Sequence, residues 1–137
     1  MFKKIVVGSD GTATSLQAVA AAAALASQHG AELHVVSSFP VLRHPQGGYS
    51  DPEHEASPAL AESADIARQS GVEPTLHPTS GSPADDLVKA AEELDADLVV
   101  VGNKGMTGKG RILGSVPNTV AHKAPCSVLI FDSVGTD

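Results

Sequence analysis

The apolar positions of this chain fall into two patterns that alternate from end to end. Ile5-Val6-Val7 and Leu98 to Val101 are unbroken apolar runs, as expected of strands covered on both faces of a parallel sheet, and Ala31 to Ser38 and Ser127 to Phe131 read as further strands. Between them the apolar residues recur at helical spacing. Residues 13–29, rich in alanine around Leu16 and Val19, predict a helix that Thr12 or Thr14 can cap and Gly30 can end. Residues 57–70 predict a second helix, and Ser82-Pro83 opens a third whose apolar face is Leu87, Val88, Ala90, Ala91 and Leu94. A fourth is expected over about residues 114–123. Val72 to Pro78 reads as a weak strand, and its two prolines assign it to a sheet edge. Residues 39–56, with Pro40, Pro45, Gly47, Gly48 and Pro52, predict a long irregular loop, either a binding lid or a plain connection. Alternating strands and helices imply one α/β domain over residues 1–137, a parallel sheet with helices on both faces.

Composition narrows what such a domain can do. The net charge of −7 argues against nonspecific binding to nucleic acid or to an anionic membrane surface. Aromatic residues at 3% leave no stacking platform for single strands. The single cysteine, Cys126, excludes an internal disulfide and a zinc–cysteine cluster, and reads as a small buried hydrophobe in a cytoplasmic protein. The opening Met1 to Val7 has no signal-peptide character, and no apolar run reaches bilayer-spanning length. His44 and His54, with Asp51, Glu53 and Glu55, show no metal-ligand spacing and read as a solvated loop. His29, His34, His77 and His122 occur singly and read as surface or satisfied core residues.

The chemistry is concentrated in residues 97–117. A buried-type strand runs into Gly102, Gly105, Gly108 and Gly110, and Gly114-Ser115 then opens a helix. Bare amides and a helix N-terminus at a strand end suit an anion. From Leu98 to Phe131 there is no Asp or Glu, whereas Lys104, Lys109, Arg111 and Lys123 lie within that span. A phosphate-bearing ligand is therefore expected. Catalysis has thin support: no Gly-x4-Gly-Lys-Ser/Thr loop occurs, and no general base stands out, so a binding protein rather than an enzyme is expected, with slow hydrolysis of the bound ligand at most.

Three stretches resemble the universal stress protein family over nearly the whole chain. They are Ile5-Val-Val-Gly-Ser-Asp-Gly11, Gly81-Ser-Pro-Ala84 with the Asp97 to Gly102 strand, and Gly102-x2-Gly105 … Gly114-Ser115 followed by Ala124-Pro-Cys-Ser-Val-Leu-Ile130. The last is similar to the ATP-binding signature of the family's nucleotide-binding branch. The resemblance implies a five-stranded fold of order 3-2-1-4-5 that binds ATP or AMP, with Mg as a possible companion ion, in a stress-response or signalling role. It also implies a homodimer through Ser127 to Phe131. Carried over by position, Gly8 and Asp10 would lie by the adenosine and Val35 by the base. Gly102, Lys104 and Gly105 would approach ribose and phosphates, and Gly114, Ser115 and Val116 would hold phosphate. The span Met106 to Leu113 is one residue shorter than that signature carries. The competing reading is a homodimeric interaction module of the same fold that binds no nucleotide.

Overall fold

The computed structural model describes residues 1–39, 41, 43–49, 51–103 and 114–132. The elements run β1 (Lys4–Gly8), α1 (Ala13–His29), β2 (Glu32–Ser38), α2 (Pro52–Gln69), β3 (Thr75–Thr79), α3 (Pro83–Leu94), β4 (Leu98–Gly102), α4 (Ser115–Lys123) and β5 (Ser127–Phe131). All pairings among the strands are parallel, and the sheet order is β3-β2-β1-β4-β5. The expected order 3-2-1-4-5 is the order found, with the proline-bearing β3 at one edge.

Each face of the sheet owns one core. Odd positions of the central strands (Ile5, Val7, Leu33, Val35) join Ala18, Val19, Ala22 and Ala26 of α1 and Ala56, Leu60 and Ala67 of α2. Even positions (Val6, Val36) join Val99, Val101, Ala84, Leu87 and Ala91 of α3 and Val120 of α4. With so few aromatics, close approach does the packing. The alanine face of α1 lets its axis lie near the sheet, and the fully buried volume is carried by Val, Ile and Leu. Gly30 ends α1 in the left-handed conformation, φ 64°, where a side chain would be strained.

The second helix starts earlier than the sequence suggested. Residues 52–56 are helical, and the side chain of Asp51 accepts from the Glu53 amide at 3.0 Å. Asp51-Pro52 is thus a cap followed by proline at the first turn, and Pro58 sits within the helix. Of the prolines that looked like loop formers, Pro52 is a helix residue. What remains of the expected loop includes a tight turn in which Arg43 bridges Tyr49 antiparallel and the His44 amide donates to the Gly48 carbonyl at 2.9 Å.

Candidate functional site

Parallel order places β1 beside β4, and the chain winds away from that pair in opposite directions. A crevice must open where those strands end. It is there: a cavity of about 400 Å³ lies over the carboxyl ends of β1, β2 and β4. Val36, Leu87, Val101 and Val116 give it an apolar lining. Six hydroxyl residues, Ser9, Thr12, Thr14, Ser15, Ser38 and Ser115, also line it, together with Asp10.

The N-terminal turns of α1, α3 and α4 all contribute to this wall, through Thr14 and Ser15, Pro83, and Ser115 to Pro117. Helix dipoles therefore add there with their positive ends inward. The first turns of α1 and α4 contain no acidic residue. In α3, Asp85 accepts from the Ser82 hydroxyl at 2.9 Å and Asp86 from the Gly81 amide at 2.9 Å. Thr12 caps α1 by accepting from the Ser15 amide at 3.3 Å. Among the described residues no side chain caps α4, whose N-cap is Gly114, and Pro117 has no N–H. The amides of Ser115 and Val116 are the donors that this turn presents.

Most of the residues singled out in the sequence meet at this place. Gly8, Asp10, Gly102, Ser115 and Val116 line the cavity, and Gly114 caps the helix beside it. Lys104 and Gly105 lie outside the described residues, as does the shortened span Met106 to Leu113. Val35 does not line the cavity. It is fully buried in the α1/α2 core, and its neighbour Val36 faces the cavity instead. The glycines also have packing reasons of their own. A Cβ on Gly8 would lie 2.9 Å from Leu87 Cδ1, and one on Gly102 would lie 3.0 Å from Thr14 Cγ2. The Asp10 carboxylate is engaged locally: its Oδ1 accepts from the Thr12 amide at 3.0 Å and from the Thr12 hydroxyl at 2.6 Å.

Two features were missed in the sequence. Ser9, 6% exposed, is tied to α2 by Ser63, whose hydroxyl lies 3.0 Å from Ser9 Oγ and donates to the Ala59 carbonyl at 2.8 Å. This moors the turn after β1, where Gly11 takes φ 82° against Ala59. Asn103, also 6% exposed, donates from Nδ2 to Asp132 at 2.7 Å and closes the ends of β4 and β5. Cys126 is free and partly buried, and burial, with Asp97 nearby, pushes its thiol up rather than activating it. Among the described residues no group of three or more His, Cys, Asp or Glu could hold a metal ion. No helix among them is long and apolar enough to cross a membrane.

A doubly wound α/β sheet with a small-molecule cavity at the switch point between β1 and β4 defines the class of this protein. The chain belongs to the universal stress protein family, whose profile matches residues 1–132. It is 35% identical over 139 residues to a universal stress protein of Methanocaldococcus jannaschii, spanning 95% of this chain and 82% of the relative. It is 37% identical over 143 residues to one of Mycobacterium tuberculosis, spanning 94% and 95% respectively. Among solved structures it is similar to a universal stress protein in complex with cAMP (TM-score 0.80, 35% identity, 96% and 97% covered). It is also similar to the Archaeoglobus fulgidus universal stress protein in complex with dAMP (TM-score 0.75, 30% identity, 93% and 96% covered).

Proposed function

We propose that this protein binds an adenine nucleotide in the β1/β4 cavity and acts as a nucleotide-responsive stress or signalling protein in the cytoplasm. The observation that carries the reading is the convergence of the N-termini of α1, α3 and α4 on one cavity, with α4 uncapped by any side chain of the described residues. Phosphate is the chemical group that such a convergence favours. The apolar lining suits a base, and the hydroxyls and Asp10 suit a ribose. The similar structures hold cAMP and dAMP, which supports an adenylate as the common element. Within the site Gly8 and Asp10 face the adenosine, Val36 takes the place first given to Val35, and Ser115 and Val116 donate to phosphate. Gly102 and Gly114 frame the phosphates, with Lys104 and Gly105 between them in sequence. ATP, AMP and a cyclic nucleotide share this chemistry, and Mg accompanies ATP.

The role is binding rather than turnover. Asp10, the carboxylate of the described wall, has Oδ1 committed to Thr12. A second copy of the chain is the proposed partner, through β5. That strand is an edge of the sheet, and Leu129 on it is 36% exposed.

The test is to denature purified protein, identify released nucleotide by mass spectrometry, and titrate emptied protein with AMP, cAMP and Mg-ATP. Release of an adenine nucleotide, or saturable binding to the emptied protein, supports the reading. Neither release nor binding would leave the interaction module, recognised by a stable dimer indifferent to nucleotide.

A further inference from the structure

His34 and His77, 43 residues apart in the chain, meet across β2 and β3 with Nδ1 of the first 2.9 Å from Nε2 of the second. Their rings lie 5.1 Å apart at 37°. His34 is 5% exposed, and its other nitrogen, Nε2, lies 3.1 Å from Glu32 Oε1. These contacts fix where the protons are. A carboxylate only accepts, so His34 carries its hydrogen on Nε2 and offers the Nδ1 lone pair. His77 must then donate from Nε2, which leaves its Nδ1 as the remaining basic site. One added proton goes to His77 Nδ1 and leaves the inter-ring hydrogen bond in place. A second proton has no such site. It must go to His34 Nδ1, where it opposes the N–H of His77 and sets two cations 2.9 Å apart.

The geometry points to a proton-operated clasp: the His34–His77 pair holds the edge strand β3 to β2 while it carries at most one proton, and a second proton releases that edge. The inference is independent of what occupies the cavity. Glu32 is the acidic group that reaches the pair, and its side chain is 63% exposed. The neighbouring strand positions are apolar, Val6 opposite His34 and Val36 opposite His77. On the same face α3 turns Ala84, Leu87 and Ala91 inward. Of its charged residues, Asp85 and Asp86 bond Ser82 and Gly81, Lys89 pairs with Glu93 at 3.9 Å, and Glu92 is exposed. Asp65 and Glu73 each pair with Arg68 along and just after α2, which packs on the opposite face of the sheet. Burial, and then His34 itself, hold His77 below the ordinary histidine range. The clasp bears on the cavity wall because the same strand pair continues to Ser38, which bonds Thr79 at 2.7 Å and lines the cavity.

Amide exchange of Thr75, Leu76, His77 and Thr79, corrected for intrinsic rates, tests the clasp between about pH 7.5 and about pH 4, because the pair takes its first proton below the free histidine pKa of about 6.5 and the releasing second proton lower still. The wild type should lose at least about tenfold protection at the lower pH, a change of at least about 1.4 kcal/mol. His77→Gln keeps an N–H aimed at His34 but cannot titrate, so it should keep its protection at both. Equal loss in wild type and variant, or full protection of the wild type at the lower pH, overturns the inference. The imidazole nitrogen spectrum of the wild type decides even if the variant does not fold. Two Nε2–H tautomers that titrate as a coupled pair support the clasp, and two rings titrating independently as free histidines overturn it.

Discussion

Gly8 lies directly against Leu87: a Cβ on the glycine would stand 2.9 Å from the leucine's Cδ1, and Leu87 is only 2% exposed. The two residues meet where β1 ends and α3 begins, and both line the cavity. A glycine that the sequence offers as an approach for ligand is therefore also the condition for α3 to close over the sheet. Gly8→Ala should push Leu87 into the cavity and cost about 1–3 kcal/mol by overpacking. Denaturant unfolding measures the loss. The double variant with Leu87→Ala should recover the overpacking component while paying for the lost leucine, so the two effects should be non-additive.

Gly102 stands in the same relation to α1. Its added Cβ would be 3.0 Å from Thr14 Cγ2 and 3.4 Å from the Thr14 carbonyl. Gly102→Ala should destabilise by about 1–3 kcal/mol. Thr14→Ser removes the methyl while keeping the hydroxyl, and should restore part of that loss. A double variant no more stable than Gly102→Ala alone would mean that the backbone contact decides.

Two buried serines on neighbouring elements should respond oppositely to the same substitution. Ser63 is fully buried and bonded to Ser9 and Ala59, so Ser63→Ala should cost about 1 kcal/mol. Ser37 is equally buried, and its hydroxyl has no partner among the described residues. Ser37→Ala removes that unmet group and should be neutral, or stabilising by up to about 1–3 kcal/mol. Thermal or urea unfolding of the two variants side by side checks the contrast.

Asp97 fastens the start of β4 to the start of β1 by accepting from the amides of Lys3 at 2.8 Å and Lys4 at 3.2 Å. Burial pushes its carboxyl up, but the backbone amides of Lys3 and Lys4, its own amide and the charged N-terminus together hold it below the usual carboxylate range. A group depressed on folding contributes fully above its unfolded pKa of about 3.9, and the contribution is lost as pH falls through the folded value. Asp97→Asn should therefore lower stability near neutrality only modestly, by at most about 1 kcal/mol because solvent screens this carboxylate, and the two proteins should converge as pH falls through the depressed folded value. Unfolding free energies across pH give the curve.

Much of the fold was legible because its signals are local. The apolar runs located β1, β2, β4 and β5, Gly30 marked the end of α1, and Pro74 with Pro78 put β3 at an edge. The start of α2 was not legible because Pro52 follows Pro45, Gly47 and Gly48 in a stretch with the composition of a loop, and only the Asp51 cap shows that proline opens a helix there. The choice between Val35 and Val36 was closed to pattern reading for a different reason. Leu33 to Ser37 are all buried, so β2 shows no alternation by which to assign a face. The pairing of His34 with His77, and of Ser9 with Ser63, depends on packing between elements distant in sequence.

The central claim is that the cavity between β1 and β4 takes an adenylate with its phosphate at the start of α4. Backbone amide spectra recorded while AMP is added to nucleotide-free protein test it most directly. The account predicts saturable shifts confined to Ser9, Asp10, Val36, Gly102, Ser115, Val116 and their neighbours, with Leu76 on the far edge strand unmoved. Saturating shifts that leave Ser115 and Val116 untouched, or no shifts at millimolar AMP, would contradict it.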